Sequence, residues 1–471
     1  MFGFSARSIS NILFWVTRKK WLILAFLLSI SFFYFPSPEG LSPEGHRTLI
    51  IVGVALVLII SESIPLPAVA ILILVMEVIL GVDDADGVAS SFMSDAVFFI
   101  MGSLMLAVAL VNQGLDKRLA LSVINVTGNK TWRIVLGFVT ISAFLSSFIG
   151  EHTVAAMMLP VALALIRNAG LSTNKATKLS TLLLFSIAYG CAIGSIGTPS
   201  GGGRNVIMIG YISEFGMGTI SYLDWMKFAY PMLLIEIPIV TSILWYTFTP
   251  EQKIMDSSVR KLKVKVAKTG RLTANQILAI GIFFLVFLGW IFVSPVVGLG
   301  IVALSGVFLY LSFGLIEWSE INRSTNWGVI LLFGSAISLG IQMKETGAAL
   351  WVAEQTLHYL DIIFKDIAIV RWFVSVIVTG LLTNLLSNAA TVAVLGPIIL
   401  DMGGDPIIMG IMTSIASAFA YLTVVASPTC MIIHSTGLIT SSDYFKAGWK
   451  LFIISVLLLL IISTFYWPML L

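Results

Sequence analysis

Apolar runs long enough to cross a lipid bilayer recur along this chain, and no other feature narrows its possible folds so far. "LIIVGVALVLII" (Leu49–Ile60) and "LFIISVLLLLIISTFYW" (Leu451–Trp467) carry no charge at all, and about 20 consecutive apolar residues span the hydrocarbon core as a helix. In hydrocarbon every backbone N–H and C=O must be bonded within the protein, so only helices and closed barrels cross. A barrel would show short segments of alternating polarity, whereas these runs are continuous. Of 471 residues, 58% are hydrophobic and 11% charged, against about 25% charged in a typical soluble protein. The chain reads as an all-α polytopic protein of the lipid bilayer.

Eleven segments read as spans, at roughly 21–35, 46–62, 64–80, 95–113, 178–213, 229–249, 275–293, 296–316, 326–342, 404–436 and 447–468. Two further apolar segments, 131–168 and 370–402, carry a polar cluster near the middle and a proline soon after it. They read as re-entrant hairpins, which enter the membrane and turn back. Lys and Arg in short loops set the orientation. Arg18, Lys19 and Lys20 precede the first span, Lys117 and Arg118 follow the fourth, and Glu251–Leu272 holds seven basic and two acidic residues. All three sites face the cytoplasm if the N-terminus is inside, in a cell's inner (cytoplasmic) membrane. The acidic turn Asp83–Gly87 and the C-terminus then lie outside. The basic N-terminus reads as an amphipathic lead-in, because no small-residue cleavage site follows the first run. With a net charge of +3 spread over short loops, no nucleic-acid surface is expected. Cys191 and Cys430 lie in or beside apolar spans, with neither disulfide nor metal-ligand spacing.

The chain also repeats itself. "FFIMGSLMLAVAL", "SAFLSSFIGEHTVAAMMLP" and "GSIGTPSGGGRNVIMIGYI" are followed in the same order by "ILLFGSAISLGIQ", "TGLLTNLLSNAATVAVLGP" and "VASPTCMIIHSTGLI". Each set is a helix with a Gly-Ser step, a polar-tipped hairpin and a span broken at a proline. The expected organisation is a lead-in and first span (1–45), a first repeat (46–249), a basic cytoplasmic loop (250–273) and a second repeat (274–471) entered from the opposite side. Paired broken helices in inverted halves point to the midplane site of a secondary transporter.

Breaking a helix inside a membrane is costly unless the freed backbone groups do something. At "GTPSGGGRN" (Gly197–Asn205), Pro199 removes a donor, and Gly201, Gly202 and Gly203 admit close ligand approach. Freed carbonyls can coordinate a cation. The helix restarting near Arg204 presents N–H groups and a positive dipole end to an anion. At the second tip, Thr383, Ser387 and Asn388 stand at i, i+4 and i+5 and offer neutral oxygens to Na⁺. The same residue types also serve as helix–helix glue, and the spacing alone leaves both roles open.

This order of motifs resembles the divalent anion/sodium symporter family, the sodium-coupled dicarboxylate and sulfate carriers, from about residue 45 to the end. Members carry Ser-Asn-Thr at each of two hairpin tips and a Thr-Pro break after each. The resemblance implies a scaffold domain and a transport domain moving as an elevator, usually in a homodimer. It implies a small anionic substrate, sodium as the coupling ion and no other cofactor. At the second tip it carries sodium ligation onto Thr383, Ser387 and Asn388, with Ala389 where the family has Thr. At the first tip Gly150, Glu151 and His152 occupy the Ser-Asn-Thr positions. Ser146 stands one turn earlier and Gly197 at the break, so Ser146, Glu151 and Gly197 are the implied first sodium set. The implied substrate residues are His152, Thr153, Thr198, Pro199, Arg204, Asn205, Asn388, Ser427, Pro428 and Thr429. The family's "TPPN" is "TPSGGGRN" here, and in the second half "SPTC", with Cys430 in the Asn position.

An ionised Glu151 in hydrocarbon needs a partner, since translocon scales put a charge at the membrane centre at about 2.5–3.5 kcal/mol. Na⁺, His152 and Arg204 are the candidates, and a structural Glu–Arg or Glu–His pair is the plainer alternative. Glu62, Glu77 and Glu236 lack surrounding motifs and read as span-end or interfacial groups. His46 and His358 read as solvated, while His434 is a candidate for the cavity wall. Three functions therefore compete: sodium-coupled anion symport, a proton-coupled carrier or antiporter using Glu151 and His152, and a membrane-embedded enzyme. The last has neither H-E-x-x-H nor a nucleotide-binding loop in its support.

Overall fold

The computed structural model describes residues 19–115, 118, 127–169, 176–267 and 270–470. Among these residues the regular structure is helical, with one isolated bridge between Lys130 and Ile254. In chain order come α1 (Lys20–Tyr34), α2 (Pro43–Ser61), α3 (Leu66–Ile79), α4 (Ala85–Phe92) and α5 (Asp95–Asn112). The first hairpin is α6 (Thr131–Ile149) and α7 (Glu151–Asn168), and the broken span is α8 (Lys178–Gly194) and α9 (Gly203–Glu214). Then follow α10 (Tyr222–Thr247), α11 (Asp256–Ala267), α12 (Ala274–Phe292), α13 (Leu299–Ser312), α14 (Trp318–Ser324), α15 (Trp327–Glu345) and α16 (Ala348–Phe364). The second hairpin is α17 (Ile367–Leu382) and α18 (Asn388–Asp401). The second broken span is α19 (Pro406–Ala416) and α20 (Pro428–His434), and α21 (Ser441–Phe465) closes the chain.

Helix starts follow the local chemistry. Ser42 accepts from Gly45 N ahead of Pro43, Thr273 and Gln276 form a capping box, and Asp405 accepts from Ile407 N and Ile408 N. Each satisfies N–H groups that a helix start leaves open. Among the described residues seven helices are long and apolar enough to cross a membrane, α6 included. Large apolar side chains such as Phe284 and Phe308 are exposed on the outer surface, the face a bilayer would cover. Helix α8 is the opposite case: Leu179 to Gly194 are all buried, as expected for a helix surrounded by protein. A Cβ on Gly194 would lie 2.1 Å from the Ala143 carbonyl oxygen. Only a residue without one lets α6 and α8 approach so closely.

Both hairpins return to where they begin. Thr131 N donates to Lys253 O at 3.0 Å and Gln252 Nε2 to Ala169 O at 3.4 Å, so both ends of the first meet the same segment. In the second, Arg371 Nε donates to Met402 O at 2.9 Å, and Asp401 pairs with Lys344 at the end of α15.

Four expectations need correction. The basic segment 250–273 contains a helix, α11. Helix α16 was not anticipated, because Glu354, His358 and Asp361 interrupt its apolar run at helical spacing and lower its mean hydropathy; His358 is indeed exposed there. Glu77 and Glu236 are fully buried within protein rather than solvated, Glu77 in the last turn of α3 and Glu236 near the middle of α10. Glu77 accepts from Ser338 Oγ on α15 at 2.8 Å, a partner 261 positions away that no local pattern announces. Glu62 does end its helix exposed, with φ 47°.

Candidate functional site

Gly150 sets the first tip. Its φ of 89° and ψ of 141° lie outside the regions open to residues with a Cβ, so α6 stops and α7 restarts at Glu151. The first break follows from proline and glycine: α8 ends at Gly194, one 3₁₀ turn covers Pro199–Gly201, and α9 starts at Gly203. At the second tip Ser387 caps α18, its hydroxyl accepting from Ala390 N at 3.4 Å. The second break is closed by Ser427, whose hydroxyl accepts from Thr429 N at 3.2 Å ahead of Pro428.

These four interruptions meet around one cavity of about 170 Å³. Its wall includes Gly150, Glu151 and His152 of the first tip, Pro199 and Arg204 of the first break, Ser387 and Asn388 of the second tip, and Pro428. The N-termini of α7, α9 and α18 all open onto it. Each carries unpaired N–H groups and roughly half a positive charge, which suits the cavity to an anion. His152 also lines an adjoining cavity of about 530 Å³, shared with Thr153, Asn112 at the end of α5, and Ser324, Thr325 and Asn326.

Glu151 is turned toward the second half of the chain. Its Oε1 lies 3.3 Å from one end of the Asn388 carboxamide and accepts from Ser427 Oγ at 3.3 Å, while Oε2 has no partner among the described residues. Arg204 is buried and donates from Nη2 to Ser195 Oγ at 2.5 Å. Among the described residues no ion pair joins Glu151 to Arg204; the Asn388 carboxamide stands between them.

Hydrogen bonding among the protein groups alone favours one arrangement of that carboxamide, with its nitrogen in a cluster of oxygens. One of its ends lies 3.0 Å from Thr383 Oγ1, 3.2 Å from Ser417 O and 3.1 Å from Ala426 O; the other lies 3.2 Å from Arg204 Nη1 and 3.3 Å from Glu151 Oε1. Which end is nitrogen is a matter of hydrogen-bond logic. With nitrogen among the three oxygens, its two N–H groups donate within that cluster and the amide oxygen accepts from Arg204 Nη1 at 3.2 Å. With oxygen there, four oxygens converge, an arrangement that suits a hard cation, and the amide N–H reaches Glu151.

The remaining predicted residues divide. Thr383 belongs to the oxygen cluster, donating to Ser417 O at 2.7 Å. Ser387 spends its hydroxyl on the cap of α18. Ser146 donates to Cys191 O at 2.9 Å, and among the described residues no hydrogen bond joins it to Glu151. Gly197 faces Ser147 instead, with an ideal Cβ 2.8 Å from its Oγ. Ser146 and Gly197 are thus both held at the contact between α6 and the first break. Thr198 donates to Ser147 O. Asn205 donates to Ser195 O (2.9 Å) and Thr198 O (2.8 Å) and accepts from Ser414 Oγ (2.9 Å). Both staple the first break rather than face the cavity. Thr429 is buried, and its hydroxyl has no partner among the described residues. His434 packs against Tyr444, with ring centroids 6.1 Å apart, and lines neither cavity. Cys191 and Cys430 are free and buried.

Sequence reasoning passed over Asn384. Its Nδ2 donates to Gly380 O (2.8 Å) and Phe419 O (3.0 Å), and its Oδ1 accepts from Leu422 N (2.7 Å), clamping tip to break. An amide directly beside Thr383 was the available signal. Ser195, which holds Arg204, and the carbonyls of Ser417 and Ala426 had none.

Comparison with known proteins gives concordant matches. The family model described as "Sodium:sulfate symporter transmembrane region" matches residues 16–471. The sodium-dependent dicarboxylate transporter SdcS of Staphylococcus saprophyticus is 27% identical, over 95% of this chain and 91% of that protein. The sodium-dependent high-affinity dicarboxylate transporter 3 of Caenorhabditis elegans is 26% identical, over 79% and 74%. Among solved structures, Neisseria gonorrhoeae MtrF, described with a class of antimetabolite efflux pumps, aligns with TM-score 0.55 at 11% identity, over 96% of this chain and 94% of that one. At that identity the likeness concerns the fold alone.

Proposed function

The chain belongs to the sodium:sulfate symporter family, a family of membrane transporters rather than enzymes, and on that premise we propose that it couples inward sodium flow to uptake of a small anion, a dicarboxylate, sulfate or a close analogue. Relatives named as sodium-dependent dicarboxylate transporters support this reading. The observation that carries it is the position of Asn388, one end in an oxygen cluster and the other between Glu151 and Arg204.

Sodium among Asn388 Oδ1, Thr383 Oγ1, Ser417 O and Ala426 O holds the amide nitrogen toward Glu151. Arg204 Nη1 then has no bond to Asn388 and is free for an anion. Without sodium the amide oxygen accepts from Arg204 and competes with that anion. Cation and anion binding therefore favour each other through one side chain, and such coupling is reciprocal. Three helix N-termini and Arg204 offset the charge of Glu151 when the anion enters. His152, Thr153, Pro199, Ser427 and Pro428 complete the proposed substrate lining.

The remaining architecture follows the same reading. Repeats 46–249 and 274–471 are inverted, the hairpins and broken spans form an elevator-type transport domain, and the rest serves as scaffold in a homodimer. The N-terminus is cytoplasmic and the C-terminus outside, in the inner membrane. The adjoining cavity reaches Asn112, at the end of α5 that this reading sets on the cytoplasmic side, which supports an inward-facing state. A second reading, proton coupling, is favoured by the unpartnered Glu151 Oε2.

Uptake of a labelled four-carbon dicarboxylate, with sulfate as competitor, tests the proposal in proteoliposomes. An inward Na⁺ gradient should drive accumulation that K⁺ does not. Equal uptake with either ion would overturn it.

A further inference from the structure

The cavity proposed for the anion has two unlike sides. Its polar side chains, Ser103 excepted, come from the tips and the breaks. The facing wall comes from α3, α5 and α15, and presents Leu66, Ile100, Leu104, Val329, Leu332 and Phe333. The Ser103 hydroxyl is buried and has no partner among the described residues, so it offers the cavity no donor. Phe333 reaches the anion end directly. A Cβ on Gly203 would lie 2.1 Å from the Phe333 ring, so the ring rests on the first residue of α9, next to Arg204 in the chain. Only glycine leaves room for that contact. The wall is also braced. Phe99, in the same lining, packs edge-on against Trp290 with ring centroids 5.3 Å apart. Trp290 stacks on Tyr222 at 5.2 Å, and the Tyr222 and Ser200 hydroxyls share a hydrogen bond of 2.8 Å.

Such a cavity sorts anions by shape. Sulfate carries charged oxygens on every side, and those turned to the apolar wall would lose water without gaining a hydrogen bond, which is costly. A carboxylate has a charged end and a carbon skeleton, and so matches both sides at once. Space points the same way. A water needs roughly 10–15 Å³, so a cavity of about 170 Å³ holds on the order of ten, more than an unbranched four-carbon skeleton displaces. We propose that the anion carried is a carboxylate with an apolar branch, an alkyl or aryl group that packs on Leu332 and Phe333 while its charge lies at Arg204 and the helix starts. This rests on the cavity being the anion's site, as read above, and narrows that reading to one chemical class.

Displacement of a labelled four-carbon dicarboxylate from the purified full-length protein, in sodium buffer, tests it. The competitors are the unbranched dicarboxylate, its monomethyl, dimethyl and phenyl derivatives, and sulfate. Burying one further methyl group tightens a binding constant roughly fourfold. The monomethyl form should therefore displace the label at about a quarter of the unbranched concentration, the dimethyl form at less again, and sulfate least effectively. Val329→Thr keeps the shape of valine and sets a hydroxyl in the wall, so it should shrink the advantage of the methyl group. Branched forms that displace no better than the unbranched one, or sulfate that displaces as well, would overturn this inference alone; the wall would then be only a surface past which the hairpins move. Failure of every carboxylate to bind would overturn both this inference and the assignment of the cavity to the anion.

Discussion

Replacing Asn388 by alanine removes a side chain that touches the oxygen cluster at one end and both Glu151 and Arg204 at the other. On the cation side the cluster loses one of four oxygens. On the anion side Glu151 Oε1 and Arg204 Nη1 lose a neutral bridge at 3.3 and 3.2 Å. A hydrogen bond to a charged group contributes about 1.5–3 kcal/mol, which converts to a roughly 10- to 150-fold weaker binding constant. The sodium concentration for half-maximal uptake should rise by that factor, and the apparent anion affinity should fall with it because the two are linked. Initial rates of proteoliposome uptake across a sodium titration read the first, and substrate titrations at fixed sodium read the second. Folding is checked by the melting temperature and size-exclusion profile, since Thr383 and Ser417 keep their own hydrogen bond. Unchanged sodium activation in a well-folded Asn388→Ala would refute the assignment.

Other substitutions probe other parts of the site. Arg204→Gln should raise the apparent KM for the anion sharply with normal expression; if Arg204 only balances Glu151, the double variant with Glu151→Gln should regain what the single variant lost. Gly150→Ala forces a Cβ into φ 89°, so thermal melts should show roughly 1–3 kcal/mol of destabilisation, and an unchanged melt would mean the tip relaxes freely. Asn384→Ala leaves Gly380 O, Phe419 O and Leu422 N without their shared amide; it should lower the melting temperature more than Ser387→Ala, and equal melts would contradict the clamp.

What could be read beforehand were interruptions. A proline, three glycines or a Ser-Asn pair inside an apolar run conflicts with an unbroken membrane helix, and the structure breaks its helices at those places. Partners were harder to read. Glu151 meets Asn388 across 237 positions, and nothing near Glu151 says which way it turns. Ser146 illustrates the limit: its place one turn before a tip could be read, but that its hydroxyl donates to Cys191 O, 45 positions on, could not. Glu77 and Glu236 looked interfacial because burial is decided by neighbouring helices, and local hydropathy does not record which face a neighbour covers. Helix α16 escaped for the complementary reason, since Glu354, His358 and Asp361 lower the mean hydropathy of an otherwise largely apolar run.

The most direct test imposes two gradients separately on the same proteoliposomes, with labelled dicarboxylate outside. An inward Na⁺ gradient at equal pH should drive accumulation, and Asn388→Ala should remove most of it. Accumulation driven by an inward proton gradient in sodium-free buffer, and lost in Glu151→Gln, would contradict sodium coupling and make Glu151 the coupling group.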